Sequence, residues 1–280
     1  MTAEKTDRFP RSADLPKQSP LFWVEQKDRY LRQILIRDIE ALTKRRLIVY
    51  FANRFANAQI DNGDCGLMNE LLSDIEKDPV DLVLETSGGG TDATEGLIAL
   101  IQNRISDLSV IVTNGAKSNG TLLGLAASRI VMGATSELGP IEPLVQGIPC
   151  TILSQDAIKT SNFPLHMFGV HALQQSKSLA KKLLTEGMLK GQPEAEIDKT
   201  VQALASRDAY FSHGSVIDHR EAARLGLKVT YLAPGDPVWE RLWILHCMYE
   251  HDCKKNSYLK VFEGRALSTA VALPPTAAPK

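Results

Sequence analysis

Two short loops hold residues whose types and spacing suit acyl transfer. Gly88-Gly89-Gly90 leaves an apolar run, Val80 to Leu84, and enters a stretch with helical spacing. Main chain without side chains can approach a ligand closely there. Its N–H groups can be aimed at an anion, helped by the following helix N-terminus. The anion is either a phosphate or the oxyanion that develops when a carbonyl is attacked. Phosphate has little support, because Lys117-Ser118 is preceded by Ala116 where a P-loop needs glycine, and no Gly-x-Gly-x-x-Gly follows the strand. A tight turn that simply needs glycine is the plain alternative for this segment. In the second loop, Ser118 lies just beyond the run Leu108 to Thr113 and is followed by Asn119-Gly120 and a stretch of small and apolar residues. A serine at that place is either a simple N-cap or a nucleophile on a strand-to-helix turn. As a nucleophile, its oxyanion would be held by the amide of the following residue and by the glycine loop.

A nucleophilic serine needs a base. No histidine occurs between Ser118 and His166. A lysine serves if burial lowers its pKa enough to leave it neutral. In the candidate helix from Leu165 to Leu189, Lys177 shares helical spacing with Val170, Leu173, Ala180 and Leu184, which puts it on the apolar stripe. Lys181 and Lys182 fall nearer the polar face. The alternative for Lys177 is a stem laid over apolar surface with its ammonium in water. Lys159, in a short element after Asp156-Ala157-Ile158, is a fallback base.

The elements that must position these loops alternate along the chain. Phe22 to Thr43 has helical spacing, and Leu47 to Phe51 suits a buried strand. Leu67 to Ile75 reads as a helix, Val80 to Leu84 as a strand, Asp92 to Ile105 as a helix and Leu108 to Thr113 as a strand. Ser118 then opens an apolar helix through Ala127, ahead of the strand Ile130 to Met132. Strands separated by helices of this length imply crossover units and a parallel sheet, with chemistry gathered at the carboxyl ends of the strands. Residues 1–19 are polar with two prolines and residues 266–280 are rich in Ala, Thr and Pro, so both are expected to be disordered tails around one domain over 20–265.

Composition removes several classes of function. The 280 residues carry 32 Lys and Arg against 33 Asp and Glu, a net charge of −1, which argues against a nucleic-acid binder. No apolar run approaches the roughly 20 residues of a membrane span, and the first twenty residues hold no signal-peptide core, so no membrane insertion is expected. The four cysteines form no Cys-x-x-Cys pair and read as reduced thiols, which makes the cytoplasm the expected location.

The strings LETSGGG (84–90) and NGAKSNGTLLGLAASRIVMGATSELGPIEP (114–143) together resemble the serine dehydrogenase proteinase family. The likeness extends upstream through RFANAQIDNGDCGLMNELL and downstream into HGSVIDHREAARLGL, about residues 30–232. It implies the Clp protease/crotonase-type fold, an α/β fold whose parallel sheet is built from repeated β-β-α and βαβ units with flanking helices, and a relation to signal peptide peptidase A. Carried over by position, Ser118 matches the family nucleophile. Gly88 matches one oxyanion donor, with Gly89 and Gly90 supporting, and the amide of Asn119 supplies the second. In the Clp protease subunit a histidine follows the nucleophile by about two dozen residues. Here that stretch holds Glu142 and no histidine, which argues against a Ser-His-Asp triad and for a Ser-Lys dyad like that of signal peptide peptidase A. Ser176-Lys177-Ser178-Leu179-Ala180 is similar to the segment carrying that lysine. Asn119 stands where relatives carry a small residue.

The resemblance implies a soluble serine peptidase acting on a protein or peptide substrate without a cofactor, assembled as a homo-oligomer. Two rivals share the fold: a crotonase-like enzyme acting on acyl-CoA with Glu142 as acid or base, and a non-catalytic oligomeric scaffold. His213 and His219 flank the segment before Asp218, where a turn role is favoured over contact with the site. His246, Cys247, His251 and Cys253 cluster at helical spacing; packing is favoured over metal binding, and no metal site is expected.

Overall fold

Continuous β-branched and aliphatic runs bounded by glycine and polar turns build the centre of this molecule, as seen in a computed structural model that describes residues 19–76 and 78–273. Helices α1 (Pro20–Glu25) and α2 (Lys27–Thr43) lead into strand β1 (Arg46–Ala52). A single-turn helix, Arg54–Ala56, and α3 (Asp64–Leu71) precede β2 (Val80–Glu85), and α4 (Thr91–Arg104) precedes β3 (Leu108–Val112). Next come the two-residue strand β4 (Gly115–Ala116), helix α5 (Asn119–Leu125) and strand β5 (Arg129–Met132). Short strands β6 (Glu137–Leu138), β7 (Leu144–Val145) and β8 (Ile148–Pro149) lead to α6 (Cys150–Leu153), α7 (Asp156–Ser161), α8 (Phe163–Glu186), α9 (Glu194–Ala205) and α10 (His219–Arg224). The chain closes with β9 (Val229–Tyr231), α11 (Pro237–Asn256), β10 (Tyr258–Gly264) and β11 (Ser268–Ala272).

The main sheet has seven strands in the order β11-β10-β1-β2-β3-β5-β9. Strands β1, β2, β3, β5 and β9 are parallel neighbours, and β10 and β11 add an antiparallel edge. Side chains alternate between two cores with the strand period of two. Ile48, Tyr50, Leu82, Leu84, Val110 and Val112 face helices α3, α4, α5, α8 and α9, whereas Leu47, Val49, Phe51, Val83 and Ile111 face α2 and α11. Burial on both faces explains why these strands read as unbroken apolar runs.

A second layer of pairing forms beyond the carboxyl ends of β2 and β3. Ile60 bridges Gly89, Thr86 bridges Ala116, β4 pairs with β6, and Leu138 of β6 bridges Ile217. With Ile60 at one end, four further chain segments are thereby set side by side in the order 86–89, 115–118, 137–142 and 213–217. This row positions every loop singled out in the sequence.

The structure changes several sequence expectations. The first helix breaks at Gln26, where the cap has φ −99° and ψ 13°, and the helix expected over Leu67 to Ile75 starts and ends earlier. Ser19, expected in the N-terminal tail, accepts from the Phe22 N–H and caps α1; residues 1–18 lie outside the described residues. The tail expected over 266–280 is corrected in its first half. Ser268–Ala272 pairs antiparallel with β10, so the ordered unit runs past 265, and residues 274–280 lie outside the described residues.

Candidate active site

Ser118 occupies the N-cap position of α5, but its hydroxyl makes no capping hydrogen bond. Its backbone sits at φ 53° and ψ −119°, a conformation unfavourable for a residue with a Cβ, at about 1–3 kcal/mol. The main chain holds it there. The N–H of Lys117 donates to Thr86 O, and the N–H groups of Thr121 and Leu122 donate to Ser118 O. A serine kept in a strained turn with its hydroxyl released from capping has the disposition of a nucleophile at a strand-to-helix elbow.

Gly88 faces it. A Cβ on Gly88, whose φ is +103°, would lie 2.8 Å from Ser118 Cβ and 3.2 Å from the Asn119 nitrogen, so only glycine permits this approach. Gly89 is pressed against Ile60, where a Cβ would meet main-chain atoms at 2.3 Å. The Gly88 N–H donates to Thr86 Oγ1 at 3.0 Å. The N–H groups of Gly89 and Asn119 have no acceptor among the described residues, whereas Gly90 donates to Ile60 O. The Asn119 side chain joins the two loops, its Nδ2 donating to Gly89 O at 2.5 Å and lying 3.4 Å from Thr91 Oγ1. That clamp is the use made of the residue that looked out of place in the sequence.

The third segment of the row is fixed to α5 by Thr121, whose Oγ1 lies within 3.1 Å of Ala116 O, Gly139 O and Gly139 N. Glu142 follows, 2 % exposed. Its Oε1 accepts from the N–H and the hydroxyl of Thr151, and its Oε2 lies 3.5 Å from Arg207 Nη1. The fourth segment is fastened by Lys117, the buried neighbour of Ser118. The Lys117 Nζ donates to Leu138 O and Ser215 O, each at 3.1 Å, and pairs with Glu137 at 3.0 Å. Burial lowers the Lys117 pKa against the opposing pull of Glu137.

His213 lies on this fourth segment. Its Nδ1 is buried with no hydrogen-bond partner among the described residues. Desolvation lowers its pKa below the ordinary histidine value, opposed by the nearby Glu142 carboxylate and main chain; Arg207 and Lys117 push the same way as burial. The sequence favours a turn role for it, and the bridge between Leu138 and Ile217 sets its segment in the row.

Lys177 lies elsewhere on its helix than the stripe suggested. The buried arc of α8 runs through Gly169, Ser176, Ala180 and Leu183, and Ser176 Oγ donates to Ile141 O at 2.8 Å. Lys177 is half-buried at the margin, with its Nζ donating to Gln202 Oε1 on α9 at 2.8 Å. Lys159 is exposed on α7.

A buried network underlies the row at the ends of β2 and β4. Glu85 accepts from the Gly115 N–H at 2.9 Å and pairs with Arg54 at 3.3 Å; Arg54 also reaches Glu137 at 3.1 Å. Burial raises the Glu85 pKa to about 7. His246 binds Thr113 Oγ1 through Nδ1 and stacks on Trp243, the packing role expected of it. No helix among the described residues is long and apolar enough to cross a membrane.

Known proteins resemble this chain over part or most of its length. An uncharacterized protein of Methanocaldococcus jannaschii, MJ0137, is 27% identical over 166 residues, 56% of this chain and 56% of its own length. A second from that organism, MJ1495, is 32% identical over 71 residues, 25% of this chain and 24% of its own. The chain thus spans about half the length, or less, of these curated relatives. Among solved structures, a mutant of the 1510-N membrane-bound stomatin-specific protease overlaps at TM-score 0.42 and 17% identity, over 62% of this chain and 75% of that one. A mutant ClpP1 from Listeria monocytogenes overlaps at TM-score 0.44 and 14% identity, over 71% and 98%. The family model for ClpP-like SDH-type serine proteinases matches residues 55–258, most of the chain and all four segments of the row. With Ser118 and its glycine loop inside the matched span, the chain belongs to the ClpP-like SDH-type serine proteinases.

Proposed function

We propose that this protein is a serine peptidase in which Ser118 Oγ attacks the scissile carbonyl of a protein or peptide substrate and forms an acyl-enzyme that water then hydrolyses. The observation that carries this reading is the Ser118 turn: a strained serine, free of capping duty, held against a glycine that admits no side chain. The oxyanion hole is built from the Asn119 amide and the glycine loop. Gly88 stands closest to Ser118, and its N–H would have to be shared with Thr86 Oγ1; the Gly89 N–H carries no such bond. Each donor of this kind contributes about 10²–10³ to kcat. The step needs no cofactor. A Ser118–Lys177 dyad would require the Lys177 Nζ to leave Gln202, and assembly into a homo-oligomer is part of the same proposal through the family.

The test is intact-mass spectrometry after treatment with a serine-reactive fluorophosphonate, alongside hydrolysis of unfolded casein. Wild type is expected to gain one adduct, and Ser118→Ala none, with casein hydrolysis falling at least about 10³-fold. Equal labelling of both proteins, or none of the wild type, overturns the reading.

A further inference from the structure

One guanidinium fastens the Ser118 row from the face away from α5. Paired strands send alternate residues to opposite faces. Ala116 packs towards Gly120 of α5, so Gly115 and Lys117 point the other way, where they meet Arg54 and Glu137. A Cβ on Gly115 would lie 2.2 Å from Arg54 Nη1 and 2.8 Å from its Cζ, so glycine at this position is what admits the guanidinium. The two arms of the fork reach different segments. Nη1 donates to Glu85 Oε1, at the end of β2, at 3.3 Å, and Nη2 donates to Glu137 Oε1 of β6 at 3.1 Å. Glu85 Oε2 accepts from the Gly115 N–H, and Glu137 Oε2 pairs with Lys117, the residue before Ser118. A planar fork of fixed geometry suits such bridging, which a lysine ammonium does not reproduce. The fork's own base is fixed too. Asn53 accepts from the Phe55 N–H through Oδ1 and donates to Tyr258 O of β10 through Nδ2, each at 3.1 Å. Glu85 is 2 % exposed, and a buried carboxylate needs its partner. Burial disfavours its charge, against which the Gly115 N–H and Arg54 work; His246 of α11 stands 3.9 Å away.

We infer that Arg54 is a positioning residue for the reaction at Ser118, holding the glycine loop, the Ser118 turn and β6 at one spacing through Glu85 and Glu137. The inference rests on Ser118 being the nucleophile. Arg54 neither gives nor takes a proton; it acts through main chain. Glu85 is followed by Thr86, whose N–H donates to Gly115 O, whose carbonyl accepts from the Lys117 N–H and whose Oγ1 accepts from the Gly88 N–H. A shift at Glu85 or Gly115 is therefore passed to the glycine loop and to the Ser118 turn. Without the fork, two carboxylates are left facing the space behind Gly115, and the loops they steady lose their common anchor. A cavity of about 330 Å³ lined by Glu85, Asn114, Glu137 and His246 opens on the fork, so a free guanidinium ion can reach the place that an Arg54→Ala side chain vacates.

The test measures fluorophosphonate labelling rates and hydrolysis of a casein peptide for wild type, Ser118→Ala, Arg54→Ala, Arg54→Lys, Glu137→Gln and the Arg54→Ala/Glu137→Gln double variant, each with its thermal transition. Arg224→Ala is the control, an exposed arginine paired with Glu221 on α10. Arg54→Ala is expected to label about 10–10²-fold more slowly, with kcat reduced and KM near that of wild type. Guanidinium chloride at millimolar concentration, but not sodium chloride, is expected to restore its labelling severalfold and to leave wild type and Arg224→Ala unchanged. Arg54→Lys is expected to fall between wild type and Arg54→Ala. The double variant is expected to label no more slowly than the slower single variant, since both substitutions break one fork. A folded Arg54→Ala that labels at the wild-type rate, a loss that guanidinium leaves in place, a raised KM with kcat unchanged, or losses that multiply in the double variant each overturn the inference while leaving Ser118 as nucleophile. Should Arg54→Ala not fold, Arg54→Lys and Glu137→Gln decide it, and wild-type rates in both overturn it. Equal labelling of wild type and Ser118→Ala removes the nucleophile and, with it, the positioning role.

Discussion

Asn119 contributes to the site twice, through its main chain and its side chain, and the two contributions separate by mutation. Its amide N–H sits at the first turn of α5 without an acceptor among the described residues, so any residue but proline supplies it. Its side-chain Nδ2 holds Gly89 O at 2.5 Å, which fixes the glycine loop against the Ser118 turn. Asn119→Ala keeps the first and loses the second. On the proposed serine-peptidase reading, the expected outcome is a fall in kcat of about tenfold with the thermal midpoint nearly unchanged, because a loosened loop would misplace an oxyanion donor without emptying the core. Steady-state kinetics of peptide hydrolysis beside a melting curve checks this; an unchanged kcat would mean the loop holds its shape without the clamp. At this scale the sequence pointed to the Ser118 turn but not to what surrounds it. The Ser118 turn stood out because a serine after an apolar strand and before Asn-Gly and a helix suits either an N-cap or a nucleophile. The margin position of Lys177 was not legible, because helical spacing alone cannot say which of two adjacent arcs a neighbouring helix covers; α9 took Lys177, and Ser176 went inward to Ile141.

Elements meet at the carboxyl end of β2, where Glu85 is buried within reach of β4, the Arg54 turn and α11. Its pKa of about 7 in the folded chain stands above the ordinary 4.5, chiefly because burial disfavours the charge. The folded state therefore binds a proton that the unfolded state releases between those values. Stability from this group is full below about pH 4.5 and is lost as pH rises through about 7. A difference of that size corresponds to about 3 kcal/mol. His246, 3.9 Å from Glu85, and His213 work in the opposite direction, since burial lowers both and their contribution is lost as pH falls. Comparing Glu85→Gln with wild type isolates the carboxyl. The variant is expected to gain stability relative to wild type between pH 5 and 8 by up to about 3 kcal/mol, whatever constant offset the lost Arg54 pairing adds. Urea unfolding at several pH values reads this directly; a difference independent of pH would show that Glu85 is charged throughout. The parallel strands and their helices were legible because each is a long run with one clear period. The two-residue strands β4 and β6 were not, because pairs such as Gly115–Ala116 and Glu137–Leu138 have no period to read. Yet those pairings set the four functional segments in a row.

Across the whole molecule, the antiparallel edge holds the site's supporting layer together, and it was the part least visible in the sequence. Lys260 of β10 is buried and pairs with Asp61 and Asp64, the turn leading into α3. Glu263 of β10 binds Arg32 of α2 and the hydroxyl of Tyr249 on α11. Both charges are buried, so each needs its partner held in register. That register is kept on one side by β1 and on the other by β11, with Arg29 and Arg37 of α2 gripping the carbonyls of Ala266 and Arg265 in the connecting turn. The Ala, Thr and Pro of the last residues looked like a tail because little of β11 is buried; its contribution is main-chain hydrogen bonding. Ending the chain after Gly264 removes β11 and that turn and leaves β10 as an open edge beside two buried ion-pair clusters. The expected loss is about 1–3 kcal/mol, with a thermal midpoint lower by several degrees and a rise in light scattering from edge-to-edge association. Phosphonate labelling at Ser118 in the truncated protein is expected to survive at low temperature, since the row of four segments lies beyond the ends of β2 and β3. An unchanged melting point would show that β1 alone fixes the β10 register.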